Sequence, residues 1–395
     1  MKARKERSPG PSGPGEQARA VPGPEGPGLR VSILCACALW LAVAPAASPA
    51  PVFTRSALPE RLTNTEFWTL IEEYSEPNGY FDSDNLLSNE TTFQYVIPRL
   101  TERAPPGKAY VGVGPEQNFA YIIALQPGIA FVPDIRRGNL QAHLMYKALI
   151  ELAGDRAEFL SLLFARQRPR GVSASSTVDE LLDAYVAAPP DDALYRRTLD
   201  GIERRLVDDR GFLLEAEDLD GIEYVYSAFH AAGPSLSYNS SRAQRTRYPT
   251  YAELQRETDE EGRPRGYLTD EASFGALKRY QERNLIVPLV ADFAGPRTLR
   301  AVGEYLRRHG ATVGAFYTSN VENYLFQNGR WGRFAGNVAA MPLDGASTFI
   351  RACFDRCRSV PWSRSTTLLD SMAGLIRDFN DGKIRTYWDV LAHSE

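Results

Sequence analysis

"YVGVGPEQNFAYIIALQPGIAFVPDIRRGN", Tyr110–Asn139, is the stretch on which the reading of the fold turns. "AYVGVG" (Ala109–Gly114) reads as a strand ending in glycines, and "PEQNFAYIIAL" (Pro115–Leu125) as a helix with proline at a tolerated first-turn position. "GIAFVPDI" is the next strand. Together they form one βαβ unit, the repeat from which parallel sheets are built.

Gly112 and Gly114 lack a Cβ, so the strand can turn sharply while a ligand approaches the backbone. The helix that follows, with Glu116 in its first turn, would aim free N–H groups at a polar ligand. Asp134 closes the second strand about 20 residues beyond Gly114, where a carboxylate can accept two hydrogen bonds from a ribose diol. The third glycine of the dinucleotide fingerprint is missing, because Pro115, Glu116 and Gln117 follow "GVG". That disfavours nicotinamide and flavin cofactors and favours a nucleoside without a pyrophosphate, such as S-adenosylmethionine. The competing structural reading makes "VGVG" a tight turn and Asp134 a cap for "RRGNLQAHL".

From about Ala57 onward short β-branched or aromatic runs alternate with amphipathic stretches, the pattern of an α/β sheet wrapped by helices on both faces. "NLQAHLMYKALIELAGDRAEFLSLLFARQ" supplies two helices broken at Gly154 and capped at Asp155. Helical or polar insertions are expected near 168–220, over one end of the sheet, and near 238–284, the second ending in the helix "EASFGALKRYQERN". Strands are expected at "GIEYVYSAF" (Gly221–Phe229), "LIVPLVADF", "ATVGAFYTSN" and "RFAGNVAAMPL", with a helix over "GPRTLRAVGEYLRRHG" and a helical region at the C-terminus. The body, 57–395, reads as one domain.

Six blocks, "FDSDNLLSNETTFQYVIPRL", "YVGVGPEQNFAYI", "DIRRGNLQAHLMYKAL", "RNLIVPLVADFAG", "FYTSNVENYLF" and "STFIRACF", carry a resemblance. With their spacers they span about Leu58 to Arg358, and the chain resembles a bacterial family with a class I, Rossmann-like S-adenosylmethionine-dependent methyltransferase fold. No reaction is attached to that family, so the resemblance implies a fold more than an activity. It places Gly112, Gly114 and Asp134 at the cofactor-site positions. In such a fold, polar residues before the first core strand close over the methionine end of the cofactor. "DNLLSNE" offers Asn89 as an amide for its carboxylate and Glu90 as a carboxylate for its ammonium, although "SNETTFQYVIPRL" also reads as a capped amphipathic helix.

Further candidates cluster where strands end. Tyr317, Ser319, Asn320, Glu322 and Asn323 close one strand and Asp292 the preceding one, at the carboxyl edge where open α/β sheets bind ligands. Ser319, Asn320 and Glu322 are expected to bind the substrate, and Asp292, Tyr317 or His230 to polarise the methyl acceptor. His143 lies inside a helix, and His309 near a helix C-terminus where the dipole accounts for it. No GxSxG, HExxH, phosphate-loop or CxxC motif is present, against hydrolases of that type, zinc proteases, P-loop enzymes and thiol oxidoreductases.

Of the 395 residues 43% are hydrophobic and 24% charged, enough for a large core. A net charge of -4 gives no general attraction to nucleic acid, though Arg242–Arg247 is a local basic cluster. Residues 1–30, rich in Pro, Gly and charge, read as disordered. Val31–Ala44 has signal-peptide length, with Ala44-Pro45-Ala46 as a cleavage pattern and an uncleaved anchor as the alternative. Either places the domain outside the cytoplasm, unless the leader comes from a misassigned start. Any membrane contact is expected through this segment alone. Cys353 and Cys357, four apart, read as two structural cysteines on one helical face, where a disulfide is awkward.

The leading expectation is an S-adenosylmethionine-binding methyltransferase-like protein with an undetermined acceptor. A non-catalytic extracytoplasmic binding or scaffold protein is the rival, and a nicotinamide oxidoreductase is disfavoured.

Overall fold

A computed structural model describes residues 57–238, 248–354, 357 and 365–395. The expected leader within 1–56 and the basic cluster Arg242–Arg247 lie outside them. Strands β1 (Ala109–Gly112), β2 (Ile129–Asp134), β3 (Ile286–Val290), β4 (Val313–Ser319), β5 (Thr348–Phe354) and β6 (Ser365–Ser371) form one sheet, ordered β3-β2-β1-β4-β5-β6. The first five are parallel, and β6 runs antiparallel to β5.

Helices α1 (Asn64–Tyr74), α2 (Ile97–Arg103), α3 (Asn118–Leu125), α4 (Arg137–Leu152) and α5 (Arg156–Phe164) lead into α6 (Val178–Ala187), α7 (Asp192–Arg204), α8 (Ala216–Ala232), α9 (Tyr251–Gln255) and α10 (Glu271–Glu282). The remainder are α11 (Thr298–Arg308), α12 (Val321–Gln327), α13 (Trp331–Ala339), α14 (Met372–Asn380) and α15 (Tyr387–His393). None of the described helices is long and apolar enough to cross a membrane. Every residue of β1, β2 and β3 is buried, which requires cover on both faces and explains their unbroken apolar sequence. One layer joins α2, α3, α4 and α10, with α4 lying on β2 and β3; the other joins α1, which also packs on β3, to α11, α13 and α14.

Both insertions belong to the β2–β3 connection. The first carries α6, α7 and a π-helical turn at Arg205–Asp209; the second contains α9 and α10. The first was expected over one end of the sheet, but α7 and the π-helical turn pack on α4, which covers a face. Asp155 caps α5 as its sequence suggests, accepting from the Glu158 N–H at 2.7 Å.

Two expected strands are helices. Gly221–Phe229 lies in α8, where Ile222, Val225, Tyr226 and Phe229 are buried at helical spacing. Arg333–Leu343 begins in α13, which buries Trp331, Phe334, Ala335 and Val338 with the same period. Both were misread because short apolar runs fit either period. The sheet instead ends with β5 and β6, in a region expected to finish as helix. Cys353 lies in β5, not on a helix, and its Cα is 5.9 Å from that of Cys357, to which it is joined by a disulfide.

The turn from β1 to α3 is closely packed. Asn118 Nδ2 donates to the carbonyls of Val113 and Gly114 at 3.0 Å and Pro115 at 2.7 Å, while its Oδ1 accepts from Tyr110 OH at 2.7 Å. A Cβ on Gly112 would collide with both Asn118 Oδ1 and Tyr110 OH. Gly112→Ala is expected to cost about 1–3 kcal/mol through overpacking, and Asn118→Ala a similar amount, about 1–3 kcal/mol, through orphaned buried groups. Urea denaturation measures both; unchanged midpoints would show that the turn does not rest on this contact.

Candidate functional site

The carboxyl ends of the central strands converge on a cavity of about 240 Å³. Val113 and Gly114 follow β1, Asp134 ends β2, Ala291 and Asp292 follow β3, and Tyr317 and Ser319 end β4, with Asn320 next. Asn85, Ser88, Asn89 and Glu90, from the segment before α2, also line it. Since β1 lies between β2 and β4, the crevice sits where chain connections diverge to opposite sides of the sheet.

Gly114 adopts φ +84°, and nothing lies within 4 Å of where its Cβ would be, so its backbone is open towards a ligand. Its carbonyl also meets His143 Nε2 at 2.9 Å. Burial pushes the His143 imidazole down to about 4. The ring is therefore neutral near pH 7, with Nε2–H donating to the carbonyl. Asp134 is buried; its Oδ1 accepts from the Arg136 N–H at 2.9 Å, and its carboxylate also accepts from the Gly114 N–H. Burial raises its pKa, against the opposing charge of Arg136 and these backbone donors.

Glu90 is the other buried carboxyl on the cavity. Its Oε1 accepts from Tyr317 OH at 2.6 Å and from Ser319 Oγ at 2.5 Å, and Gln117 Nε2 in turn donates to Tyr317 OH. Burial pushes Glu90 up to about 7, with the Ser319 and Tyr317 hydrogen bonds pulling the other way. Its Oε2 has no partner, and neither do Gln117 Oε1 and Asn85 Oδ1. Three buried acceptor atoms without donors therefore belong to residues lining one cavity. Two of the lining residues, Asn85 (φ 46°) and Ser319 (φ 51°), hold a left-handed backbone without being glycine, as do Gln126, Ala165 and Asn284 elsewhere.

Gly114, Asp134, Asn89, Glu90, Asp292, Tyr317, Ser319 and Asn320 are thus brought together, whereas four other expected residues are not. Gly112 sits behind the turn, serving the Tyr110–Asn118 contact rather than a ligand. Glu116 is buried off the cavity, accepting from the Ser88 N–H and pushed up to about 8 by burial. Glu322 is locked in a fully buried ion pair with Arg351, which also holds Asp370 at 2.7 Å. His230, expected after a strand, lies on α8, stacked on Tyr195 at 4.6 Å and bonded to Asp192 at 3.0 Å.

Two of the residues expected to polarise the acceptor line the cavity already engaged with neighbours. Asp292 is ion-paired with Arg330, and Tyr317 commits its proton to Glu90. The helix expected over "SNETTFQYVIPRL" is present only at its end, where α2 starts at Ile97 without a side-chain cap. Gln117, Asn118, His143 and Arg330 were missed as site residues. Gln117 and Asn118 lie inside the decisive stretch, but only the sheet and α4 reveal what they contact.

Glu90 and Glu116 both titrate above their unfolded value near 4.5. Each neutral carboxyl adds stability fully below that value, and the contribution is lost as pH rises through about 7 for Glu90 and about 8 for Glu116. Within its window each group should lower unfolding free energy by about 1.4 kcal/mol per pH unit. Urea midpoints taken from pH 5 to pH 8.5 should fall more steeply for the wild type than for Glu90→Gln or Glu116→Gln; three parallel profiles would contradict the burial argument.

No curated protein matches this chain. A family model described as a domain of unknown function (DUF7790) matches residues 86–379, a span that includes all six strands together with Gly114, Asp134 and Glu90, and the chain belongs to that family.

Proposed function

We propose that the cavity binds a nucleoside with an ammonium-bearing tail, of the S-adenosylmethionine class, and that the domain is methyltransferase-like. One observation carries the reading: a buried Asp134 carboxylate beside the open backbone of Gly114, at the switch point between β1 and β4. A carboxylate there suits a ribose diol. The mostly parallel sheet with an antiparallel last strand is compatible with such a fold.

The remaining residues fit the same group. Orphaned Glu90 Oε2, Gln117 Oε1 and Asn85 Oδ1 suit an ammonium, which brings only donors, and Asn89 offers an amide to a carboxylate. A pyrophosphate fits poorly, because Arg330 is the sole Arg or Lys lining the cavity among the described residues and it is paired with Asp292. The nearby N-terminus of α11 is likewise taken, since Glu76 accepts from the N–H groups of Arg297 and Thr298 at 2.7 and 3.2 Å. Bound here, the cofactor would supply an electrophilic methyl group. The protein's part is then to hold the ribose with Asp134, anchor the tail through a Glu90 oriented by Tyr317 and Ser319, and exclude water.

A second reading, a binding protein without turnover, is favoured by the engagement of Asp292, Tyr317 and His230 in other contacts. Export through the leader would suit it, because S-adenosylmethionine is made in the cytosol.

Calorimetry of the full chain with S-adenosylmethionine, S-adenosylhomocysteine and NAD tests the proposal. Both sulfur nucleosides should bind and NAD should not, and Asp134→Ala should weaken binding tenfold or more, about 1.4 kcal/mol per tenfold. If neither sulfur nucleoside binds the folded protein, or NAD binds more tightly, the reading fails. Binding without methyl loss across an acceptor panel would select the second reading.

A further inference from the structure

The mouth of the cavity differs chemically from its floor. Tyr80, Phe81, Tyr238 and Tyr324 line it, and Tyr80 is 84% exposed. An aromatic ring left in water at a cavity rim is unusual when its backbone is fixed, and here it is. The Gly79 N–H donates to the Ile135 carbonyl at 2.8 Å, and Asn78 Oδ1 accepts from the Arg137 N–H at 2.8 Å. Beyond the rings, the Leu86 N–H donates to the Tyr238 carbonyl at 3.0 Å. The segment bearing Tyr80 and Phe81 is thus tied at both ends, to the end of β2 and to Tyr238. Tyr324 is held edge to face with Phe81, centroids 5.4 Å apart at 85°, and Tyr238 packs on Tyr248 at 4.9 Å.

Charge narrows what such a mouth accepts. Asp292 and Arg330 neutralise one another, Asp82 lies close enough to act on Tyr324 and Arg136 on Tyr238, one charge of each sign, and the amides of Asn320 and Asn328 are neutral. Aromatic walls whose charged neighbours among the described residues balance in sign favour a flat, uncharged partner that stacks on the rings or meets them by an edge.

We propose that this mouth is the acceptor subsite, and that it takes a small neutral molecule through a planar aromatic ring, selected by Tyr80 and Tyr324. As an acceptor subsite it rests on the nucleoside reading of the floor; as a ring-binding site it does not, and the two can fail separately.

The test titrates the full chain with phenol, cyclohexanol and tetramethylammonium, each with and without saturating S-adenosylhomocysteine, followed by saturation-transfer NMR. Phenol should bind at least tenfold more tightly than cyclohexanol, and tetramethylammonium should not compete with it. Tyr80→Ala and Tyr324→Ala should each weaken phenol binding fivefold or more, while Tyr80→Phe, which keeps the ring, restores it. S-adenosylhomocysteine affinity should stay within twofold in all three variants. Equal binding of phenol and cyclohexanol, preference for tetramethylammonium, or indifference of phenol to both alanine variants would overturn the proposal. Loss of S-adenosylhomocysteine binding with phenol binding intact would instead remove the nucleoside reading and leave a ring-binding site.

Discussion

The cavity depends on one side chain that never faces it. Asn118 sits at the start of α3 and gathers the carbonyls of Val113, Gly114 and Pro115 while taking the Tyr110 hydroxyl on its other side. Three carbonyls pointing back into the protein leave the opposite side of the turn clear, which is where the open face of Gly114 lies. Gly112 is needed because that contact leaves no room for a Cβ, and His143 from α4 adds a further tie to the Gly114 carbonyl. The two glycines that look equivalent in "GVG" therefore do different physical work: one admits the clamp, the other presents backbone to the cavity.

This division explains what was and was not legible in the amino-acid sequence. The βαβ unit, the placing of Asp134 and the grouping of strand-end residues follow from periodicity and from the rule that sheet ligands lie beyond carboxyl ends, both of which are local or topological. Glu90, too, was marked by its polar neighbourhood. Partnership was not legible. Glu322 and Ser319 are three residues apart, yet Glu322, already in α12, is directed at Arg351 in the sheet, and Ser319, the last residue of β4, at Glu90. Asp292 gave no local sign of Arg330, which approaches from just before α13.

His230 fell with the strand to which it was attached. "GIEYVYSAF" contains enough β-branched and aromatic residues to mimic a strand, and only the pairing of its apolar positions at three- and four-residue steps against α4 makes it helical. The misreading of "RFAGNVAAMPL" has the same cause and hid the last parallel strand, since an extra strand there left nothing for β5 and β6 to do. Short apolar runs are therefore where single-sequence reasoning about this chain loses its footing, whereas the glycine turn lies where its residues suggested, with only Gly114 of its two glycines on the cavity.

Some costs in the fold fall around the cavity, while others lie elsewhere, as at Asn284, which combines a left-handed backbone with an unpaired buried Oδ1. A buried acceptor without a donor forgoes about 1–3 kcal/mol, and a non-glycine residue in the left-handed region costs roughly 1–3 kcal/mol. Asn85 incurs both, Glu90 Oε2 and Gln117 Oε1 incur the first, and Ser319 the second, all around one cavity. Such a grouping makes sense if the missing donors arrive with a ligand. The ionisation of Glu90 points the same way: burial holds it near 7, and a cation placed against Oε2 would favour the charged form and lower that value. On the proposed reading, the ligand supplies hydrogen-bond donors and positive charge where these acceptors are gathered.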